Sequence, residues 1–320
     1  MINLSMIIDI NMIIIDFLFA VFHHFGYFSL AVFHHIKHLY YLLLKKTTII
    51  DKIKNNKTNI KELIMQRYLV NKNKINKSIV FIDGNDVHHI KNVMRMKIGE
   101  NILVFTDNQE LFLCEIIEIS DTVQAKIIGN VESKNELNKN ITIAQGLINR
   151  DKTEEVIRRL VELGCNNYQP VIMDKSIIKY DDKMTDKKNN NRLDRLNRII
   201  KEASEQSQRI NLMNVYNPIF FNNLIKSIDD YDLVLFCHVE FKDQNNIKEV
   251  LKANLIDNYP NINNILVIIG PESGYSKKEI DAIMNTKAIP ISLGKRVLRT
   301  ETAPLSIMSI LAYEVENYHE

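Results

Sequence analysis

The chain has 320 residues, a formal net charge of +2 and 46% hydrophobic residues. That length gives room for two domains with cores of their own, and the near-neutral charge excludes binding of nucleic acid through a global field, so any RNA surface must be a local patch. The three cysteines, Cys114, Cys165 and Cys237, stand far apart, which excludes a CxxC zinc signature and a disulfide framework and leaves reduced thiols.

From Met6 to Phe33 the chain is strongly apolar, interrupted by Asp9, Asp16 and the pair His23-His24. After Lys45-Lys46 it turns basic and polar, with Lys52, Lys54, Lys57 and Lys61 against Asp51 and Glu62. An apolar leader followed by a basic, acid-poor stretch reads as a targeting segment, and it implies an organelle such as a mitochondrion or plastid. A buried extra helix and a membrane anchor are the alternatives. The two aspartates are costly in lipid, so a membrane is not expected for the mature protein. His34 and His38 have metal-ligand spacing, but no carboxylate or cysteine lies nearby, and no metal site is expected.

Residues 63–136 read as β-rich. The runs 78–82, 101–105, 111–119 and 122–128 are apolar or alternating and are separated by turn signals. Residues 87–96 predict a short helix. Together they predict a small β-barrel. The polar stretch 131–139 reads as a linker.

Residues 137–320 alternate strands with helices, which argues an α/β domain with a mainly parallel sheet. Strands are predicted at 141–147, 168–173, 233–237, 265–269 and 289–293, although Pro290 weakens the last. Asp151 and Glu154 predict a capped helix start, with Val156, Ile157, Leu160 and Leu163 on its apolar face and Gly164 just past its end. The low-complexity stretch 181–192 predicts a mobile loop, followed by a long helix bearing Leu193, Leu196, Ile199, Ile200 and Ala203.

The chemistry gathers near the C-terminus. Gly270-Pro271-Glu272-Ser273-Gly274-Tyr275 follows one apolar run, and Ser276 with Glu279 predicts a capping box opening the next helix. Leu293-Gly294-Lys295-Arg296-Val297-Leu298-Arg299-Thr300-Glu301-Thr302-Ala303 follows the next run, and a helix is predicted to begin near Thr300 or Thr302. Two glycine loops after strands can wall one small-molecule site, because ligands of α/β sheets bind beyond the carboxyl ends of strands. No G-x-x-x-x-G-K-S/T or G-x-G-x-x-G run is present, so no nucleoside triphosphate site is expected.

These two loops closely resemble the C-terminal motifs of the RsmE family of SPOUT-class methyltransferases. Arg67-Tyr68-Leu69-Val70 resembles the family's opening segment, and His88-His89-Ile90-Lys91-Asn92-Val93-Met94-Arg95-Met96-Lys97-Ile98-Gly99 its double-histidine signature. Glu162-Leu163-Gly164 and Glu202-Ala203-Ser204-Glu205-Gln206-Ser207-Gln208-Arg209 match two further motifs, in family order. Ser273 departs from the usual glycine, which would cost stability if that backbone needed a positive φ. Arg159 stands where lysine is common and keeps the charge.

The resemblance implies a PUA-like RNA-binding barrel over 63–136 and a SPOUT methyltransferase domain over 137–320, with a C-terminal trefoil knot and a homodimeric state. It implies S-adenosylmethionine as cofactor and N3 of a uridine in small-subunit ribosomal RNA, free or in the assembled subunit, as target. Backbone groups of Gly270, Leu293, Gly294 and Leu298 are the first cofactor candidates. Pro271, Glu272, Gly274, Val297, Thr300 and Ala303 join them from the same motifs, and His238 from a third loop. Glu301 is the candidate base, with Arg299 or Arg209 as anion stabiliser; a structural ion pair between Arg299 and Glu301 is the alternative. Arg67, His89, Lys91, Arg95, Lys97 and Gln206 are the RNA candidates, and one of His88 and His89 can instead face the core. A catalytically dead RNA-binding protein of the same fold, or a methyltransferase of another RNA, stays open.

Overall fold

Alternating burial builds the first of two sheets in the computed structural model, which describes residues 65–177, 186–239 and 247–318. The apolar leader, the basic stretch after it and the His34/His38 pair lie outside the described residues, as do residues 181–185. The first sheet comprises β1 (Arg67–Val70), β2 (Ile75–Asn76), β3 (Ile79–Ile82), β4 (Asn101–Thr106), β5 (Leu111–Ile119) and β6 (Val123–Asn130), in the order β1-β4-β5-β6-β3-β2. Only β1 and β4 pair in parallel. Tyr68, Val70, Val80, Ile82, Ile102, Val104, Cys114 and Ile116 turn inward to one core. Register shifts at Leu113/Cys114 and Ile116/Glu118 bend the β5–β6 ladder and help the sheet curl.

The helix expected over 87–96 is shorter. One α-turn, α1 (Asn85–His88), runs into a π-turn over His89–Val93. The chain then leaves helical geometry at Arg95, where φ is +53.

The second sheet is wholly parallel. It holds β7 (Asn140–Gly146), β8 (Asn167–Ile172), β9 (Asn214–Val215), β10 (Ile219–Phe220), β11 (Leu233–Cys237), β12 (Asn264–Ile269) and β13 (Ile289–Ile291). The order is β10-β8-β7-β12-β11-β13, with β9 beside β8. Both faces are covered, so its central strands need apolar side chains on both sides. In β12, Ile265, Val267 and Ile269 enter one core while Leu266 and Ile268 enter the other. In β11, Leu233 and Leu235 alternate with Val234 and Phe236 in the same way.

Helices α2 (Arg150–Glu162), α3 (Asp186–Gln206) and α7 (Ala303–Glu316) pack on the first face, and α5 (Ile247–Leu251) joins them. On the second lie α4 (Phe221–Ser227) and α6 (Lys277–Met284). The expected capping box of α6 is present: Ser276 Oγ accepts from Glu279 N, and Glu279 accepts from Ser276 N.

Three expectations need correction. The cap of α2 is Asn149, whose side chain accepts from Lys152 N at 3.0 Å, so the helix starts ahead of Asp151. α3 begins at Asp186, so the second half of the polar stretch 181–192 is helical. β13 ends at Ile291 rather than 293, because the chain beyond it makes the turns of the second glycine loop, and α7 then starts at Ala303 with Thr302 as its N-cap, as expected. The polar linker is pinned: Glu136 accepts from Arg209 Nε at 3.0 Å and Nη2 at 2.9 Å, and from the backbone of Ile210 and Asn211.

The two sheets are joined through β1 and the end of α3. Arg67 Nη1 donates to Gln208 O at 2.7 Å, and Leu69 N donates to Glu205 Oε1 at 2.9 Å. Lys201 pairs with Asp86 at 2.6 Å, across the same junction.

Candidate active site

Three parallel strands end level with one another. Cys237 of β11 is in register with Ile269 of β12 and with Ile291 of β13. The loops that leave these ends therefore start side by side, and they enclose a cleft of about 580 Å³. Every cofactor candidate read from the sequence lines it. His238 comes from the β11 end; Gly270, Pro271, Glu272 and Gly274 come from the first glycine loop; Leu293, Gly294, Val297, Leu298, Thr300 and Ala303 come from the second. Arg299 and Glu301 line the same cleft.

Each loop has a local reason for its glycines. A Cβ on Gly270 would lie 2.9 Å from the ring of Tyr275. That ring is fixed: its hydroxyl donates to Ile268 O at 3.1 Å, and it meets Phe236 edge-on at 4.8 Å. Gly294 sits at φ +111 and Gly274 at φ +70, where side chains are strained. Ser273 is not among the residues with positive φ, so serine there carries no backbone strain.

Buried hydrogen bonds tie the loops together. Thr300 Oγ1 donates to Gly270 O at 2.8 Å, joining the second loop to the first. Gln145 Nε2 donates to Thr300 O at 2.6 Å and Oγ1 at 3.1 Å, and Tyr168 Oη donates to Gln145 Oε1 at 2.9 Å. Burial holds the Tyr168 phenol well above its ordinary pKa, which keeps it a donor.

One cation at the cleft has no place in either motif. Lys152, in the first turn of α2, lies 2.5 Å from Glu272 and 3.4 Å from Glu301 Oε2. The hydrogen bond to Glu272 is the main reason its ammonium is held above the usual lysine range. Arg299 is farther from Glu301, at 3.9 Å, and its side chain is 84% exposed. The structural partner of Glu301 is therefore chiefly Lys152. Glu301 Oε2 is buried and at ion-pair distance from Lys152, yet accepts no hydrogen bond. Burial pushes the Cys237 thiol up to about 12, so it is no nucleophile at neutral pH.

Comparison with known proteins supplies the family. An RNA methyltransferase domain model matches residues 135–312, and an RNA methyltransferase PUA domain model matches residues 82–128. The chain is 33% identical over 256 residues to the ribosomal RNA small subunit methyltransferase E of Bacillus subtilis, covering 79% of this chain and 98% of that one. The chain belongs to the ribosomal RNA small subunit methyltransferase E family. The Neisseria gonorrhoeae member, solved bound to S-adenosyl methionine, is 26% identical with a TM-score of 0.65, covering 78% of this chain and 97% of that one. A putative methyltransferase of Legionella pneumophila, solved with the same cofactor, is 25% identical with a TM-score of 0.67 and the same coverage.

Within this member of the methyltransferase E family, three sequence candidates fall elsewhere than expected. Arg209 does not reach the cleft. It is 2% exposed and is spent on Glu136 and on the carbonyls of Val161 and Cys165, at 3.1 and 2.8 Å. Its task is to hold the linker against the end of α2. Arg67 is committed to Gln208, so it joins the domains rather than facing open surface. Of the two histidines, His89 packs inward, its Nδ1 3.0 Å from Tyr68 Oη, while His88 is exposed. Lys91, Arg95, Lys97 and Gln206 are exposed.

Lys152 escaped the sequence reading because its distance from Glu272 and Glu301 along the chain is large. Only the pairing of β7 with β12 brings the start of α2 beside the first glycine loop. A lysine just past a strand end was the one available signal, and many lysines satisfy it.

Proposed function

We propose that this chain transfers a methyl group from S-adenosylmethionine to N3 of a uridine in small-subunit ribosomal RNA. The observation that carries this reading is the convergence of both glycine loops on one cleft with Glu301 and Lys152 in its wall. The cleft suits the cofactor on its own features. A Cβ built on Gly274 or Gly294 meets nothing within 4 Å, so these backbones are open to a ligand. Glu301 Oε2 is a buried acceptor still lacking a hydrogen bond. When bound, S-adenosylmethionine supplies a methyl group on a sulfonium, whose carbon–sulfur bond breaks with its electron pair going to sulfur.

The residues divide the remaining work. Backbone groups of Gly270, Leu293, Gly294 and Leu298 hold the cofactor, and His238 borders it. Uridine N3 carries a proton between two carbonyls; Glu301 accepts that proton as N3 attacks. Arg299, exposed and beside Glu301, meets the negative charge that develops on the uracil oxygens. Lys152 holds Glu272 of the first loop and Glu301 of the second together. General-base help contributes about 10²–10⁴-fold, while alignment of the two reactants contributes roughly 7–11 kcal/mol. Alignment is the larger share, which suits a site built mainly of backbone. The inert reading loses its motive, because Ser273 adopts an ordinary backbone.

Lys91, Arg95, Lys97 and Gln206 dock RNA in this reading, and the protein works as a homodimer in an organelle. The deciding experiment is methyl transfer from labelled cofactor to isolated small subunits and to naked RNA, with the product nucleotide identified by mass spectrometry. A labelled N3-methyluridine is expected. Label on another base, or none with either substrate, overturns the assignment.

A further inference from the structure

The segment between α1 and β4 exposes more apolar surface than its fold requires. Val93 is 56% exposed, Met94 40% and Ile98 65%. Lys91, Arg95 and Lys97 are interleaved with them, are exposed, and form no ion pair with a described residue. No acidic residue occurs from Val87 to Gly99; Glu100, also exposed, is the first.

The backbone is arranged to keep these side chains outward. The π-turn buries only Ile90 and closes with Met94 N on His89 O at 2.8 Å. Arg95 then takes φ +53, a conformation uncommon for a residue with a long side chain. The chain folds back so that Met96 N reaches Ile90 O at 3.0 Å, and Met96 packs against the barrel core. Ile90 and Met96 are thus turned in, and Val93, Met94 and Ile98 are left in water.

The cations alone fit phosphate, but phosphate contacts have no use for aliphatic surface. Paired bases in an A-form duplex present no open face, and side chains cannot read its deep major groove. Unpaired bases present flat apolar faces flanked by phosphates: the Arg95 guanidinium suits such a face, the neighbouring aliphatic side chains can bury it further, and the lysines suit the phosphates. The segment lies inside the match to an RNA methyltransferase PUA domain. We propose that Val93, Met94 and Ile98 pack against unpaired bases of the RNA substrate, so that this face selects single-stranded over duplex RNA. The proposal rests on the reading that Lys91, Arg95 and Lys97 dock RNA.

The test compares the full chain with the triple variant Val93→Ser/Met94→Ser/Ile98→Ser. The probes are a fluorescent single-stranded RNA and a hairpin duplex of similar length, titrated over a range of salt. Single-strand affinity should fall about tenfold, because three aliphatic side chains lose their burial against bases, duplex affinity should hold, and the salt slope should not change because no cation is lost. Arg95→Ala should instead lower the slope by about one on both probes. Unaltered single-strand binding by the triple variant, or equal loss on both probes, overturns the proposal. If Arg95→Ala changes nothing, the underlying docking reading fails, and it does so separately. A photo-crosslinker in place of Met94 gives an independent readout on small subunits. Attachment to an RNA base supports the proposal, and attachment to a ribosomal protein alone overturns it.

Discussion

The side-chain amide of Gln145 donates to both the carbonyl and the hydroxyl of Thr300, 155 residues away in the chain, at 2.6 and 3.1 Å. A residue in the middle of the sheet thereby fixes the loop that carries Arg299 and Glu301. We predict that Gln145→Leu will uncouple them. Two buried groups, Thr300 O and Tyr168 Oη, would lose partners, at about 1–3 kcal/mol each. Calorimetry should show weaker S-adenosylmethionine binding, and the melting temperature should fall by several degrees. Wild-type affinity would mean that the loop holds its shape alone.

Lys152 bridges Glu272 of the first glycine loop and Glu301 of the second. Lys152→Met leaves two carboxylates close together without their cation. Turnover should fall roughly tenfold to a hundredfold, as for other displaced catalytic groups, and Lys152→Arg should recover most of it. Steady-state methyl transfer decides, and a fully active Lys152→Met variant would remove the bridge from the mechanism.

Glu301→Gln tests the base directly. Both ligands should still bind, and turnover should drop by about 10²–10⁴-fold. A double variant with Lys152→Met separates the roles. If Glu301 serves only as a partner of Lys152, the double variant should be no worse than either single one, and cofactor affinity should fall in all three. Full activity of Glu301→Gln at neutral pH would hand proton acceptance to solvent.

Gly294 and Gly270 should fail for different reasons. At Gly294 an added Cβ meets nothing, so Gly294→Ala acts through its φ of +111 alone. At Gly270 the clash is with Tyr275, so Gly270→Ala should be partly rescued by Tyr275→Leu. Thermal melts of the single and double variants check this, and rescue of Gly294→Ala by the same second change would contradict it.

The junction of the two sheets should be sensitive to pH. Burial raises the Glu205 carboxyl from its ordinary 4.5 to about 7, against the opposing pull of Leu69 N and Lys201. An acid whose folded pKa is raised binds more protons folded than unfolded, so stability falls as pH climbs from about 4.5 to about 7 and levels off above. Glu205→Gln should flatten that slope in urea-melt midpoints. An unchanged slope would place the titration elsewhere.

Much of this architecture was legible because burial on both faces forces continuous apolar runs. The run 233–237 coincides with β11, and 111–119 with β5. Ser276 and Glu279 announced α6 through a purely local interaction. The two-residue strands β2, β9 and β10 are too short to carry any period. In the sequence Asp151 reads as the cap, and Asn149 does not, because both residue types cap well and the choice depends on where β7 ends. Arg209 looked catalytic for its charge, but a buried guanidinium answering Glu136 is read only from the fold. Lys152 was invisible for the same reason, since strand order, not spacing, makes it a neighbour of Glu301.

The position of β12 between β7 and β11 has a consequence for synthesis. β7 precedes it and pairs with β8 on its other side, while β11 pairs only with β12 and β13. Before Asn264–Ile269 leaves the ribosome, β7 therefore has one unpaired edge and β11 has no neighbour in the sheet. Until then two central strands have bare edges, the kind that pair with other chains. We expect a fragment ending at Asn263 to aggregate while the full chain stays dispersed, which sedimentation of the two translation products would reveal. Any delay in completing the last segment therefore falls on the molecule when it is least protected.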